Sequence, residues 1–178
     1  MGIEVTQIIP SVPQSEIWKV WENSPAAASG LKIGDQIIEI DEQNLQVTTE
    51  PGVITQVLRE AVAEKGLFYP VDPSSMGSCF IGGNIAENSG GARALKYGVT
   101  KDYVLNLEVV LPTGDIIWTG ANTLKNSTGY NITQLMVGSE GTLGIVTKIV
   151  LKLLPQNKHN VLLLVPFYKA ENQVPNAF

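Results

Sequence analysis

Apolar and polar positions alternate in several short stretches of the chain and recur at helical spacing in one. Ile3, Val5, Ile8 and Ile9 read as a short edge strand, which Pro10 and Pro13 end. Ser24-Pro25-Ala26-Ala27-Ala28 has the form of an N-cap followed by proline at the first helical position, and Gly30 stops that turn. Gly34-Asp35 makes a tight turn, with a strand of Ile37, Ile38 and Ile40 behind it. From Val53 the spacing changes. Val53, Val57, Leu58, Ala61 and Val62 share one helical face, and Gly66 stands where a helix would end. Leu67-Phe68-Tyr69 is a short strand closed by Pro70.

Residues 72 to 98 carry little periodicity and are dense in Gly, Ser, Asn and Pro. A hairpin follows: Leu105, Leu107, Val109 and Leu111 alternate, Thr113-Gly114-Asp115 turns, and Ile116, Ile117 and Trp118 return. Asn131 caps a short helix through Leu135, and Gly144 to Leu154 is a last long strand, stopped by Pro155. The pattern predicts an α+β chain, a mixed sheet with flanking helices.

Composition narrows this only a little. With 178 residues, 44 % of them hydrophobic and 16 % charged, the chain is globular and long enough to bury a core. A net charge of -5 argues against non-specific binding to nucleic acid or anionic lipid. It leaves an anionic cofactor open, because backbone N–H groups hold phosphate without net positive charge. The single cysteine, Cys79, excludes an internal disulfide. The best apolar run, Val161 to Val165, is stopped by Pro166 and is too short to span a membrane. No secretory signal is visible, and the chain reads as cytoplasmic.

Two glycine-rich runs carry the candidate chemistry. In the stretch from Val71 to Gly91, paired glycines at Gly82-Gly83 and Gly90-Gly91 permit positive φ and close approach of a ligand. Ser78, Asn84, Asn88 and Ser89 add neutral donors, a combination that suits a diphosphate or a flat heteroaromatic ring. A loop whose glycines serve only its own turns fits the stretch equally well. The second run, Gly138-Ser139-Glu140-Gly141-Thr142-Leu143-Gly144, is neither a Rossmann fingerprint nor a Walker A loop. Alone it reads as a structural turn, and Glu87 reads as a cap or turn contact. One histidine, His159, and one cysteine support neither a zinc site nor a nucleophilic triad.

Taken together and in order, these runs resemble a known family. Pro51-Gly52-Val53, Tyr69-Pro70-Val71-Asp72-Pro73, Ile81 to Gly91, Lys96-Tyr97-Gly98, Gly129-Tyr130 and Gly138 to Ile145 closely resemble the FAD domain of the glycolate oxidase and D-lactate dehydrogenase family. That fold is the para-cresol methylhydroxylase or vanillyl-alcohol oxidase type, and the likeness runs from about Gln36 to Pro155. The resemblance implies FAD as cofactor. It implies a loop from Asp72 and Pro73 to Gly91 running along the flavin and its pyrophosphate, with contacts at Ser78, Gly82, Gly83, Asn84, Asn88, Gly90 and Gly91. Tyr97 would close the same pocket. Glu140, Gly141 and Ile145 would lie toward the ribityl, ribose and adenine side, near Gly52. In the family the flavin takes a hydride from C2 of a D-2-hydroxyacid, leaving a 2-oxoacid, and the electrons pass to an acceptor.

The chain departs from that pattern in three ways. The family's earlier glycine-rich loop, which holds the pyrophosphate from the other side, is absent. In its place residues 23 to 40 resemble the middle of a PDZ domain, itself incomplete, and Ile37 to Asp41 fit either family. The substrate domain, with the family's catalytic residues, would lie beyond Phe178, so no catalytic residue is assigned. The expected organisation is a PDZ-like fragment at 1–41, the second part of an FAD-binding domain at 42–155, and the start of a substrate domain or a tail at 156–178. A partner subunit or electron acceptor and a small 2-hydroxyacid substrate are implied. A PDZ-like peptide-binding module is the alternative.

Overall fold

The computed structural model describes residues 35–157, together with the backbone of two strands at 4–8 and 14–19. Those strands, β1 (Glu4–Ile8) and β2 (Gln14–Lys19), pair antiparallel with one another. The expected helical turn at 24–28, the turn at Gly34, His159 and the apolar run at 161–165 lie outside the described residues.

The centre of the fold is a sheet of five strands. They are β3 (Ile37–Asp41), β4 (Gln46–Thr49), β6 (Val104–Val110), β7 (Ile116–Trp118) and β8 (Ile145–Lys152). Their order is β3-β4-β8-β6-β7, and every pairing is antiparallel. The expected mixed sheet is therefore corrected. Tight turns join β3 to β4 and β6 to β7, and β8 returns between the two hairpins, so no right-handed crossover to a parallel neighbour is needed. The fold class, helix and sheet segregated about an antiparallel sheet, stands as α+β.

One face of the sheet makes the core. Val47, Leu107, Val109, Ile149 and Leu151 are fully buried there. Helix α1 (Thr55–Glu64) adds Leu58, Ala61 and Val62, and it ends where the spacing predicts, with Gly66 at φ +69°. Between α1 and the sheet comes β5 (Leu67–Phe68), which pairs with β9 (Leu154–Pro155). Strand β4 was not apparent from its residues, because Gln46, Thr48 and Thr49 are polar. It is central all the same. The buried Gln46 amide donates to the Asn122 carbonyl at 3.0 Å, and the Thr49 hydroxyl donates to the Glu50 carbonyl at 3.2 Å.

The aperiodic stretch also holds structure. Helix α2 (Ile81–Glu87) and the single turn α3 (Ala94–Tyr97) lie inside it. Past the hairpin, α4 (Ile132–Met136) begins as expected, with the Asn131 side chain accepting from the Gln134 amide at 3.0 Å.

Tyr69 is fully buried, and its hydroxyl has no hydrogen-bond partner among the described residues. Burial pushes the phenol well above its ordinary value; Thr100 is near enough to offset this in part, but its hydroxyl donates to the Ser89 carbonyl and its geometry with Tyr69 is not that of a hydrogen bond. A phenol raised in the folded state stabilises the fold fully below the unfolded value of about 10, and that contribution is lost as pH rises above it. Tyr69→Phe is therefore expected to be neutral or stabilising by up to about 1 kcal/mol at pH 7, because no hydrogen bond is lost. It should also flatten the fall in stability above pH 10. Urea unfolding of both proteins at neutral and alkaline pH checks both points.

Candidate functional site: a glycine-walled cleft

Helix α2 is short, and what satisfies its ends builds the site. An α-helix leaves its first N–H groups and last carbonyls without internal partners. At the start of α2, the Ile81 amide donates to the Val53 carbonyl at 2.9 Å and the Gly82 amide to the Pro51 carbonyl at 2.8 Å. At its end, the second glycine-rich run supplies the donors. The Gly138 amide donates to the Ile85 carbonyl at 2.9 Å and the Glu140 amide to the Ala86 carbonyl at 3.0 Å. To reach them the loop passes through positive φ at Gly138, Glu140 and Gly141. The two runs that the sequence singled out thus lie against one another.

Between them is a cavity of about 450 Å³. Pro51, Gly82, Gly83 and Ala86 form one wall, while Glu140, Gly141 and Ile145 form the other. That volume is within the ordinary range for small-molecule sites, about 300–1,000 Å³.

The paired glycines differ in purpose. A Cβ on Gly82 would stand 2.6 Å from the Pro51 Cβ, so glycine there lets the helix pack on Pro51. A Cβ on Gly83 would meet nothing within 4 Å, and its φ is not positive. The amide of Gly83 has no acceptor among the described residues. Neither a close neighbour nor a positive φ requires glycine at 83. The positive φ that this pair permits is not used, since both residues are helical.

Of the sequence-assigned contacts, Gly82, Gly83, Glu140, Gly141 and Ile145 line this cleft. The others do not. The Gly52 amide donates to the Asp35 carboxylate at 2.8 Å. Asp72 pairs with Arg93 at 3.3 Å, and Pro73 is buried, its carbonyl accepting from the Met76 amide. The exposed Ser78 bonds back to the Ser75 carbonyl. Asn84 is buried and donates to the Thr55 hydroxyl at 2.5 Å. Asn88, at φ 52°, closes α2, and its side chain accepts from the Lys101 amide at 2.9 Å. Gly90 packs against Val99, and Gly91 sits against Asp72, where a Cβ would overlap the backbone. These residues hold the loop in shape. Tyr97 lines a different cavity, packed edge to face on Phe68 at 5.6 Å. Pro51, Met136 and Ser139 line the cleft and went unassigned. Pro51 and Ser139 stood inside quoted motifs and could have been found; Met136 carried no signal beyond being apolar.

Among the described residues, no group of three or more His, Cys, Asp or Glu is placed to hold a metal, and no helix is long and apolar enough to cross a membrane.

The family model for an FAD binding domain matches residues 30–120. The chain belongs to that family. A model for the PDZ domain matches residues 1–55, of which 1–3, 9–13 and 20–34 lie outside the described residues. Glycolate oxidase subunit GlcD of Bacillus subtilis (strain 168) is 55 % identical over 152 residues, which is 83 % of this chain and 32 % of that protein. D-lactate dehydrogenase of Anaerostipes hadrus is 44 % identical over 138 residues, 78 % of this chain and 29 % of its own length. D-2-hydroxyglutarate dehydrogenase of Stutzerimonas stutzeri (strain A1501) is 39 % identical over 146 residues, covering 81 % and 32 %. The chain thus spans about a third of these curated relatives. A solved alkyldihydroxyacetonephosphate synthase superposes with a TM-score of 0.58 at 29 % identity, over 67 % of this chain and 21 % of that one. The fold is the FAD-binding domain of the para-cresol methylhydroxylase type, and FAD is the cofactor of this family.

The contrast between the two glycines is measurable. Gly82→Ala is expected to destabilise the chain by about 1–3 kcal/mol through overpacking on Pro51. Gly83→Ala should leave stability unchanged or raise it by up to about 1 kcal/mol, the usual difference between alanine and glycine within a helix. Paired urea melts read both.

Proposed function

We propose that this chain forms one side of an FAD site in a flavin-dependent oxidoreductase that oxidises a D-2-hydroxyacid of the glycolate or D-lactate type to a 2-oxoacid. The observation that carries the reading is the convergence of Gly82-Gly83 of α2 and the 138–144 loop on one cleft with open space above Gly83. The names of the relatives support the substrate class.

The residues present fit the cofactor. Gly83 leaves room for a ligand and offers an amide without an acceptor, and such an amide can hold a phosphate oxygen. The carboxylate of Glu140 is exposed on the facing wall and can accept from sugar hydroxyls. Ile145, half exposed on the same wall, offers an apolar surface to a flat ring. The bound flavin would supply hydride chemistry. The chain's own part is to hold and orient the dinucleotide and to keep water from one side of it.

The site is one-sided, since no counterpart to the family's earlier pyrophosphate loop is apparent in the sequence. Affinity is therefore weak and turnover by the chain alone is absent in this reading. A complementing subunit and an electron acceptor belong to the working protein. The proposed organisation keeps a junction near Asp41, with the FAD-binding part running to Pro155 and residues 156–178 leading toward a substrate domain or forming a tail.

A second reading, a PDZ-like peptide-binding module at 1–41, draws on the match over residues 1–55. Against it, β3 at Ile37–Asp41 is committed to β4 within the five-stranded sheet. Peptide titration followed by NMR separates the two, since a module would shift amides between Leu31 and Ile40.

Titration of the full chain with FAD, followed by quenching of flavin fluorescence, tests the main reading. Saturable binding is expected, competed by ADP and weakened about tenfold or more by Gly83→Ala, because a methyl group would displace the dinucleotide from its closest approach. Glycolate and D-lactate should give no dye reduction with the chain alone. Binding that ignores Gly83→Ala would sink the assignment of this cleft.

A further inference from the structure

A second cavity, of about 640 Å³, shares no lining residue with the cleft. Phe68 and Tyr97 form an aromatic wall, Leu95 is apolar and exposed at its rim, and Arg93, Lys96 and Asn157 are polar donors around it. Among the described lining residues there is no carboxylate.

The cations here are only partly matched. Arg93 turns Nε to Asp72 at 3.3 Å, and neither of its Nη atoms has an acceptor among the described residues. Its guanidinium lies 5.7 Å from the Phe68 ring centre, with Arg59 also over that ring at 6.0 Å. Lys96 Nζ sits 4.9 Å from the Tyr97 ring centre and has no ion pair among the described residues. Three cations, Arg59, Arg93 and Lys96, therefore lie over the adjoining rings of Phe68 and Tyr97, in a chain whose net charge is -5. Hydrogen bonding from Lys96 and then from Asn157 holds the Tyr97 phenol below its usual value, with the charges of Lys96 and Arg93 adding a smaller part.

We propose that this cavity binds a small organic carboxylate, its charged end on Arg93 and Lys96 and its apolar body on Phe68, Tyr97 and Leu95. The Nη edge of an arginine already paired through Nε is a planar two-donor fork, and a carboxylate matches it with two parallel hydrogen bonds. The aromatic wall selects for an organic body; an inorganic anion would leave it bare. Nothing in this argument depends on flavin binding.

The test uses benzoate as probe, with inorganic phosphate and benzyl alcohol as comparisons, on the full chain by 1H–15N NMR at constant ionic strength. Saturable benzoate shifts are expected at Arg93, Lys96 and Asn157, with the amides of Gly83 and Glu140 unmoved. Arg93→Gln should weaken binding about tenfold, in line with loss of a charge-assisted bidentate pair. Lys96→Gln, an exposed change that breaks no ion pair, should weaken it severalfold and keeps the test valid if Arg93→Gln disturbs the fold. Neither phosphate nor benzyl alcohol should saturate. Absence of saturable shifts, shifts centred on Gly83, or unchanged affinity in Lys96→Gln overturns the proposal. So does phosphate binding as tightly as benzoate, which would make the site one for charge alone.

Discussion

Everything at the cleft depends on how helix α2 satisfies its two ends. Its leading amides turn to carbonyls of the strand-to-helix turn at Pro51 and Val53, and its trailing carbonyls receive amides from Gly138 and Glu140. A buried backbone group left without a partner costs about 1–3 kcal/mol, so four such bonds fix the helix and the facing loop as one unit. The loop sits opposite Gly82-Gly83 because it caps the helix, whether or not a cofactor is present. The walls of the cleft are accordingly preorganised, and binding need not order them.

The same accounting separates residues whose side chains are held within the fold from residues left open at the cleft. Asp72, Asn84 and Asn88 all spend their side chains within the fold: Asp72 on Arg93, Asn84 on Thr55, Asn88 on the Lys101 amide. Their identities are explained without any ligand. Gly83 is different, since no described neighbour requires glycine there and its amide has no acceptor among the described residues. A motif of alternating Gly and Asn is thus a mixture of scaffold and contact, and only the packing tells them apart.

What could be read from the residues followed from the strength of local patterns. The α1 stripe of Leu58, Ala61 and Val62, the Gly66 terminus, the hairpin about Gly114 and the Asn131 cap are local features, and each is found where expected. The misses are places where tertiary contacts override propensity. Gly82-Gly83 argue against a helix, yet Ile81 and Ile85, four apart, are fully buried and hold one in place. Gln46 and Thr49 argue against a central strand, yet each finds a hydrogen-bond partner that permits burial. Tyr97 follows the glycine pairs in sequence, but the single turn of α3 carries it to another cavity. The convergence of the two glycine runs, more than fifty residues apart, came only from the family resemblance, because no local pattern encodes it.

The two proposed sites represent two physical solutions for holding an anion on an acidic chain. In the cleft the wall opposite Gly83 carries an acid, Glu140, so a diphosphate there must rely on backbone amides at short range. In the second cavity the attraction comes from the side-chain charges of Arg93 and Lys96. The amide solution depends on distance, which is why a single methyl group at 83 matters. The charge solution acts over a Debye length and is screened by salt, which is why exposed Lys96, seated on the Tyr97 ring and in no ion pair among the described residues, can contribute. The chain's overall charge therefore predicts neither proposed site; what decides is which groups the fold presents at each cavity.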